Sequence, residues 1–280
     1  MVPAHPLALQ GAVPCAEPLG CARPRPASIA PSPPIPPQRA RQRLAGRDPR
    51  QQRLRHRLAP TAPPRTRAVV LHAGHRPTLC QEALRLARLL QALIPDEPEV
   101  HSLAALLEIQ ASRIQARTGP DGEPVLLNDQ DRSRWDRILI RRGLAALERA
   151  RTDHPGPYAL QAEIAACHAR ARTPAETDWA RIASRYADLA RLVPSPVIEL
   201  NRAVAVAQAA GPAAGLALVR ALADEPALAG YHLLPSVLGD LLVKLGRPDE
   251  ARAEFERAAA LAGNARERAL LLDRAAVCGS

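Results

Sequence analysis

LGDLLVKLGRPDEARAEFERA, Leu238 to Ala258, is the stretch whose reading decides the fold. An apolar run ends at Gly246-Arg247-Pro248, and a second run then places Ala251, Phe255 and Ala258 four and three residues apart. That spacing puts the three on one face of a helix, and Gly followed by Pro marks a stop and a restart. A break this short makes the two helices antiparallel neighbours. Gly239 and the two alanines are small enough for the helix backbones to approach, and Phe255 fills the gap left between them.

Working upstream, the same punctuation recurs at Glu225-Pro226, Gly211-Pro212 and Pro194-Ser195-Pro196, and downstream at Gly263-Asn264. Trp179, Ile182, Tyr186, Leu189 and Val193 form a second apolar stripe at helical spacing. Ala214, Leu218, Ala221 and Pro226 keep the spacing of the 251–258 helix, and Tyr186, Leu189 and Pro194 keep its latter half. A small residue at the close contact, then A-x3-F-x2-A, then Pro resembles the tetratricopeptide repeat in degenerate copies. The fold class expected is all-α: stacked antiparallel helix hairpins, tetratricopeptide-like.

Toward the N-terminus, Leu79, Ala83, Leu86, Leu90 and Leu93 predict a helix buried along that stripe and closed by Pro95 and Pro98. A second helix is expected from about Glu99 to Arg117. Thr118-Gly119-Pro120-Asp121-Gly122 stops it, and Pro124 to Asn128 reads as extended.

Ahead of residue 79 the composition changes. Residues 1–78 hold 16 of the 29 prolines and 13 arginines against only Glu17 and Asp48. Proline at this density excludes helix and central strand, and uncompensated charge opposes burial, so 1–78 is expected to be a disordered Pro/Arg-rich segment and 79–277 the helical domain. The segment carries a net +11 of the chain's +10, which leaves −1 for residues 79–280. The high isoelectric point therefore describes the arm, not a basic groove in the domain. Its arginines can retain nucleic acid by charge alone, but no aromatic residue is present there for base stacking.

The five cysteines, Cys15, Cys21, Cys80, Cys167 and Cys278, have neither disulfide-framework nor zinc spacing, which points to a reducing, cytoplasmic setting. No apolar run reaches the length of a membrane span. No G-x-S-x-G, phosphate-binding loop or dinucleotide fingerprint occurs, so neither an enzyme nor a cofactor is expected.

The segment LNDQDRSRWDR, Leu127 to Arg137, is too distinctive to follow from composition. It resembles the hallmark of the C-terminal extension carried by one group of extracytoplasmic-function RNA polymerase sigma factors. LCQEALRLARLL from Leu79, IPDEPEV from Ile94, GPYALQAEIAACHA from Gly156, TDWARIASRYADLARLVPSPVIELNRAVAV from Thr177 and YHLL from Tyr231 resemble that family in the same order. The resemblance implies a regulatory, tetratricopeptide-like module acting in transcription initiation. It also implies a protein partner: RNA polymerase, or the sigma regions that grip polymerase and read the promoter. Residues 1–78 show the pattern of neither region, so the chain resembles a truncated sigma factor, and specific DNA binding by it is not expected. The alternatives are a small-molecule-binding or enzymatic helical domain, and non-specific nucleic-acid binding through the basic arm.

Within the motif, Asp129, Asp131 and Asp136 beside Trp135 admit a carboxylate or metal reading, but no Gly follows to turn a loop around an ion. The structural reading has Asn128 or Asp129 capping a helix that enters at Asp131, Arg132 and Arg134 pairing with carboxylates, and Trp135 buried. Gln130 completes the motif. Farther on, Asn201 and Arg202 follow the helix start at Pro196, where they can face a repeat groove and meet a peptide carboxylate, or make hydrogen bonds within the helix. His101, His154, His168 and His232 share no ligand spacing.

Overall fold

In a computed structural model of the chain, residues 77–120 and 125–279 are described. The expected disordered segment 1–78 lies outside them apart from Pro77 and Thr78, which open the first helix. The described part is all-α, with no strand element among the described residues.

Among the described residues ten α-helices follow one another: α1 Pro77–Leu93, α2 Pro98–Ala111, α3 Arg137–Arg149, α4 Pro157–Arg170, α5 Trp179–Leu192, α6 Pro196–Ala210, α7 Pro212–Arg220, α8 Leu233–Lys244, α9 Pro248–Leu261 and α10 Ala265–Cys278. Proline stands at the first turn of α2, α4, α6, α7 and α9. There its missing N–H costs nothing and its fixed φ suits the helix, so these prolines start elements as well as ending them. From α4 onward each helix packs on the next, whereas α2 is shared by α1, α3 and α4. Three partners leave α2 little solvent face, which is why His101, Ser102 and Glu108 are buried on it along with Ala105 and Ile109.

The hairpin read from Leu238–Ala258 closes as expected. Ala251, Phe255 and Ala258 are buried, and a Cβ added to Gly239 would lie 2.6 Å from the Phe255 ring. The stripe Ile182, Tyr186, Leu189 on α5 is likewise buried, in a small cluster with Leu160, Ile164, Cys167 and Ala205.

Three local expectations are corrected. On α1 the buried residues are Leu84 and Ala87, while Leu79, Leu86 and Leu93 of the expected core stripe are exposed, Leu93 by 70%. Both stripes have helical spacing, and sequence periodicity alone does not say which one meets α2. On α7 the buried face is Gly215, Leu216 and Val219, one position away from Ala214, Leu218 and Ala221. Gly215 sets that register: a Cβ there would collide with Ala207 and lie 2.9 Å from the Ala203 carbonyl of α6. Finally α2 stops at Ala111, not Arg117, and a 3-10 turn Ile114–Ala116 follows. Ser112 Oγ donates to the Ile109 carbonyl at 2.7 Å, and the Ser112 carbonyl accepts from the Asp136 N–H at 2.9 Å, which redirects the chain toward α3.

Candidate functional site

The LNDQDRSRWDR segment lies between α2 and α3. Two of its carboxylates act as caps. Asp131 Oδ1 accepts from the Ser133 N–H at 2.9 Å and starts a 3-10 turn, Arg132–Arg134. Asp136 Oδ1 accepts from the N–H groups of Ile138 and Leu139 at 2.8 and 3.1 Å and starts α3. An ionised cap meets otherwise unpaired donors at the positive end of a helix. The expected cap at Asn128 or Asp129 is therefore replaced by caps at Asp131 and Asp136, because the segment begins two short helical elements rather than one.

Arg132 is buried and pairs with no carboxylate among the described residues, contrary to the expected ion pair. Its Nη1 donates to the carbonyl oxygens of His168 and Ala171 at 2.6 and 2.8 Å, and its Nη2 reaches Thr177 Oγ1 at 3.4 Å. The His168 carbonyl is in the last turn of α4, where carbonyls have no partner within the helix, and Ala171 is the residue that caps it; a cation there also suits the negative end of the helix dipole. At the opposite end of α4, Glu99 of α2 accepts from the N–H groups of Tyr158 and Ala159 at 2.9 and 3.1 Å. A side chain at Gly156 would collide with that carboxylate. Helix α4 is thus held by an acid at its N-terminus and a base at its C-terminus, each supplied by a different segment.

Trp135 is 3% exposed and lies beneath two guanidinium groups, with the carbon of Arg132 at 4.9 Å and that of Arg113 at 5.7 Å from its ring centroid. Both distances are within cation–π range. Burial, followed by the charges of Arg117 and Arg132, pushes Arg113 down to about 9, so it remains charged at neutral pH. His168 is driven down to about 3 by burial, then by Arg113 and Arg132, and is neutral. It meets the Trp179 ring edge-on at 5.2 Å. Tyr186 is pushed above its ordinary range by burial.

The rest of the motif faces different ways. Gln130 is buried and donates to the Val125 carbonyl at 3.2 Å, whereas Asp129 and Arg134 are exposed. Asn201 is 2% exposed on α6, and Arg202 is tied to Glu199 at 2.7 Å one turn earlier. The Arg202–Glu199 contact is the bond within the helix that was the other expected reading. Among the described residues no three His, Cys, Asp or Glu side chains converge. No helix among them is long and apolar enough to cross a membrane.

Sequence reasoning did not single out Glu99 or Arg113, and weighed His168 only as a metal ligand. IPDEPEV offered a signal for the first, since Glu99 follows Pro98, but its partner lies 59 residues away.

Residues 69–151 match a family of unknown function, DUF6596. The matched stretch carries α1, α2, the motif and α3. The chain is also similar to an uncharacterized protein of Rhizobium meliloti (strain 1021), R00370, with 52% identity over 194 residues that make up 69% of this chain and 45% of that protein. The chain therefore spans less than half the length of this relative. No solved structure matches the chain.

Proposed function

We propose that the helical domain is a protein-interaction module that regulates transcription by an extracytoplasmic-function sigma factor, with core RNA polymerase or the sigma factor's own polymerase- and promoter-binding regions as its partner. The observation that carries the reading is the outer face of α1, where Leu79, Leu86, Leu89 and Leu93 are exposed along one helix. Soluble monomers rarely leave such a continuous apolar surface exposed, and an exposed apolar face along a helix suits a protein partner. The resemblance of LNDQDRSRWDR and its flanking segments to the sigma-factor extension supplies the identity of that partner. The motif's own side chains favour the same reading: Asp131, Arg132, Trp135 and Asp136 hold the fold together instead of converging on a substrate.

The test is promoter-specific transcription by core polymerase and a sigma factor of this class, with increasing amounts of the purified chain added. A dose-dependent change in transcript yield, absent for a variant carrying Leu86→Glu and Leu93→Glu, is the expected outcome. Unchanged yield at saturating chain overturns the reading.

A further inference from the structure

Helix α3 carries Arg137, Arg141, Arg142 and Arg149 against a single acid, Glu148, an excess of positive charge that no other helix among the described residues matches. Its buried face is Ile140, Gly143, Ala146 and Leu147. A Cβ on Gly143 would lie 2.6 Å from the Ile109 side chain, so this face seats closely on α2. Arg137, Ile138, Arg141, Ala145 and Arg149 are exposed on the other side, Ile138 by 58%. Arg142 leans toward Glu108 at 3.6 Å, and Glu148 is engaged by Arg151 and Arg170. Arg137, Arg141 and Arg149 form no hydrogen bond or ion pair with an acid among the described residues. They spread over about 18 Å of helix axis, and like charges one turn apart repel.

We propose that this face of α3 docks an acidic, amphipathic helix of a protein partner, its carboxylates meeting Arg137, Arg141 and Arg149 and an apolar side chain covering Ile138. Charge complementarity selects the sign of the partner, and a planar guanidinium takes a carboxylate in two parallel bonds. Ile138 and Ala145 select its class. They interrupt the arginines with apolar surface, to which a phosphate backbone offers nothing, and α3 has no aromatic residue for a base to stack on. A membrane surface fits poorly, because the apolar face of α3 is already buried in the domain. A second copy has little to offer: on α9, Glu250, Glu254 and Glu256 are already paired with Arg247, Arg257 and Arg252. The chain's own segment 1–76, with 13 arginines against Glu17 and Asp48, has the wrong sign. The inference does not depend on the sigma-factor reading, because the probe is a peptide of defined composition.

Fluorescence anisotropy tests it, with the full chain titrated into a labelled helical peptide of about 18 residues that carries Glu and Leu along one face and Ala elsewhere. The peptide is expected to bind at least about tenfold more tightly than the same peptide with Gln in place of Glu. Combining Arg137→Glu with Arg141→Glu is expected to weaken it at least about tenfold. The melting temperature should not fall, because an acid at the start of α3 suits the helix dipole. Ile138→Ser should weaken the peptide about fivefold. Duplex DNA and phosphatidylserine vesicles, which the Arg-rich arm can hold by charge, should bind the parent and the double variant equally. Absence of peptide binding, equal binding of the Gln peptide, or peptide binding that survives the double variant or is indifferent to Ile138→Ser overturns the proposal. So does loss, in the double variant, of DNA binding, of vesicle binding or of a dimer seen by sedimentation, since the face would then belong to that occupant.

Discussion

Arg132 donates to the carbonyl oxygen of His168 at 2.6 Å across 36 residues of sequence, and so fastens the LNDQDRSRWDR segment to the C-terminal end of α4. The same side chain reaches Ala171 and Thr177. One guanidinium therefore ties three separated backbone regions together. Arg132→Lys keeps the charge but not the planar fork, and is expected to lose roughly 2–3 kcal/mol, the scale of hydrogen bonds made by charged groups. Urea unfolding of the two proteins reads this directly, and equal midpoints contradict it.

Trp135 is the apolar counterpart of that tie. Trp135→Ala removes a ring that is 3% exposed and packed under Arg113 and Arg132, at an expected cost of about 3–5 kcal/mol. Ser133, exposed on the same turn, should accept Ala with little change. A melting temperature for Trp135→Ala equal to that of the parent would place the ring in an interface rather than in the core.

Acid should weaken the domain through His168. Folded, this residue binds its proton only near pH 3, whereas in the unfolded chain it does so near 6.5. Between these values the unfolded state holds more protons, so stability falls as the pH drops. The contribution is complete above pH 6.5 and is lost toward pH 3, with a slope of about 1.4 kcal/mol per pH unit from this residue. Because carboxylates also titrate in acid, the informative quantity is the difference in slope between the parent and His168→Asn from pH 6.5 to 4.5. Identical slopes contradict the account.

Gly239 and Phe255 should show coupled behaviour. Gly239→Val drives a branched side chain into the ring at 2.6 Å, with an expected loss of about 1–3 kcal/mol from overpacking. Phe255→Leu frees space, so the double variant should be more stable than the sum of the single losses predicts. Strict additivity contradicts a direct contact.

The Gly239–Phe255 hairpin was legible in the sequence because its chemistry is local: a small residue, a bulky one and a Gly-Arg-Pro stop within 21 residues. The caps at Asp131 and Asp136 were half legible, since carboxylates before a helical run read as caps but the number of runs did not show. Arg132 was misread because a buried arginine ordinarily finds an acid, and here carbonyls at the end of a helix 36 residues away take that place. On α1, Leu79, Leu86 and Leu93 satisfy helical periodicity as well as Leu84 and Ala87 do. Only the position of α2 separates the two faces, and that is tertiary information.

On its own the chain should not direct promoter-specific transcription. Residues 79–280 carry a net charge of −1, and arginines such as Arg181, Arg185, Arg202 and Arg247 are paired with acids on the helix surfaces. Phosphate neutralisation needs a concentrated basic field, and base reading needs a recognition element held in a groove. Run-off transcription with core polymerase and the chain alone is expected to yield no promoter-specific product, and any DNA retention should vanish between 50 and 200 mM salt, a range over which phosphate-dominated binding falls by about 10³–10⁵. A specific transcript would falsify this.

The exposed leucines of α1 bear the central claim, and surface substitutions there should leave stability within about 0.5 kcal/mol. The most direct measurement is fluorescence anisotropy of the labelled chain titrated, at 200 mM salt, with core RNA polymerase and separately with the polymerase- and promoter-binding regions of a sigma factor of this class. The account predicts saturable binding to one of the two partners, lost when Leu86→Glu and Leu93→Glu are combined in a chain that melts at the parental temperature. Absence of binding to both partners, or binding that the double leucine variant leaves intact, contradicts it.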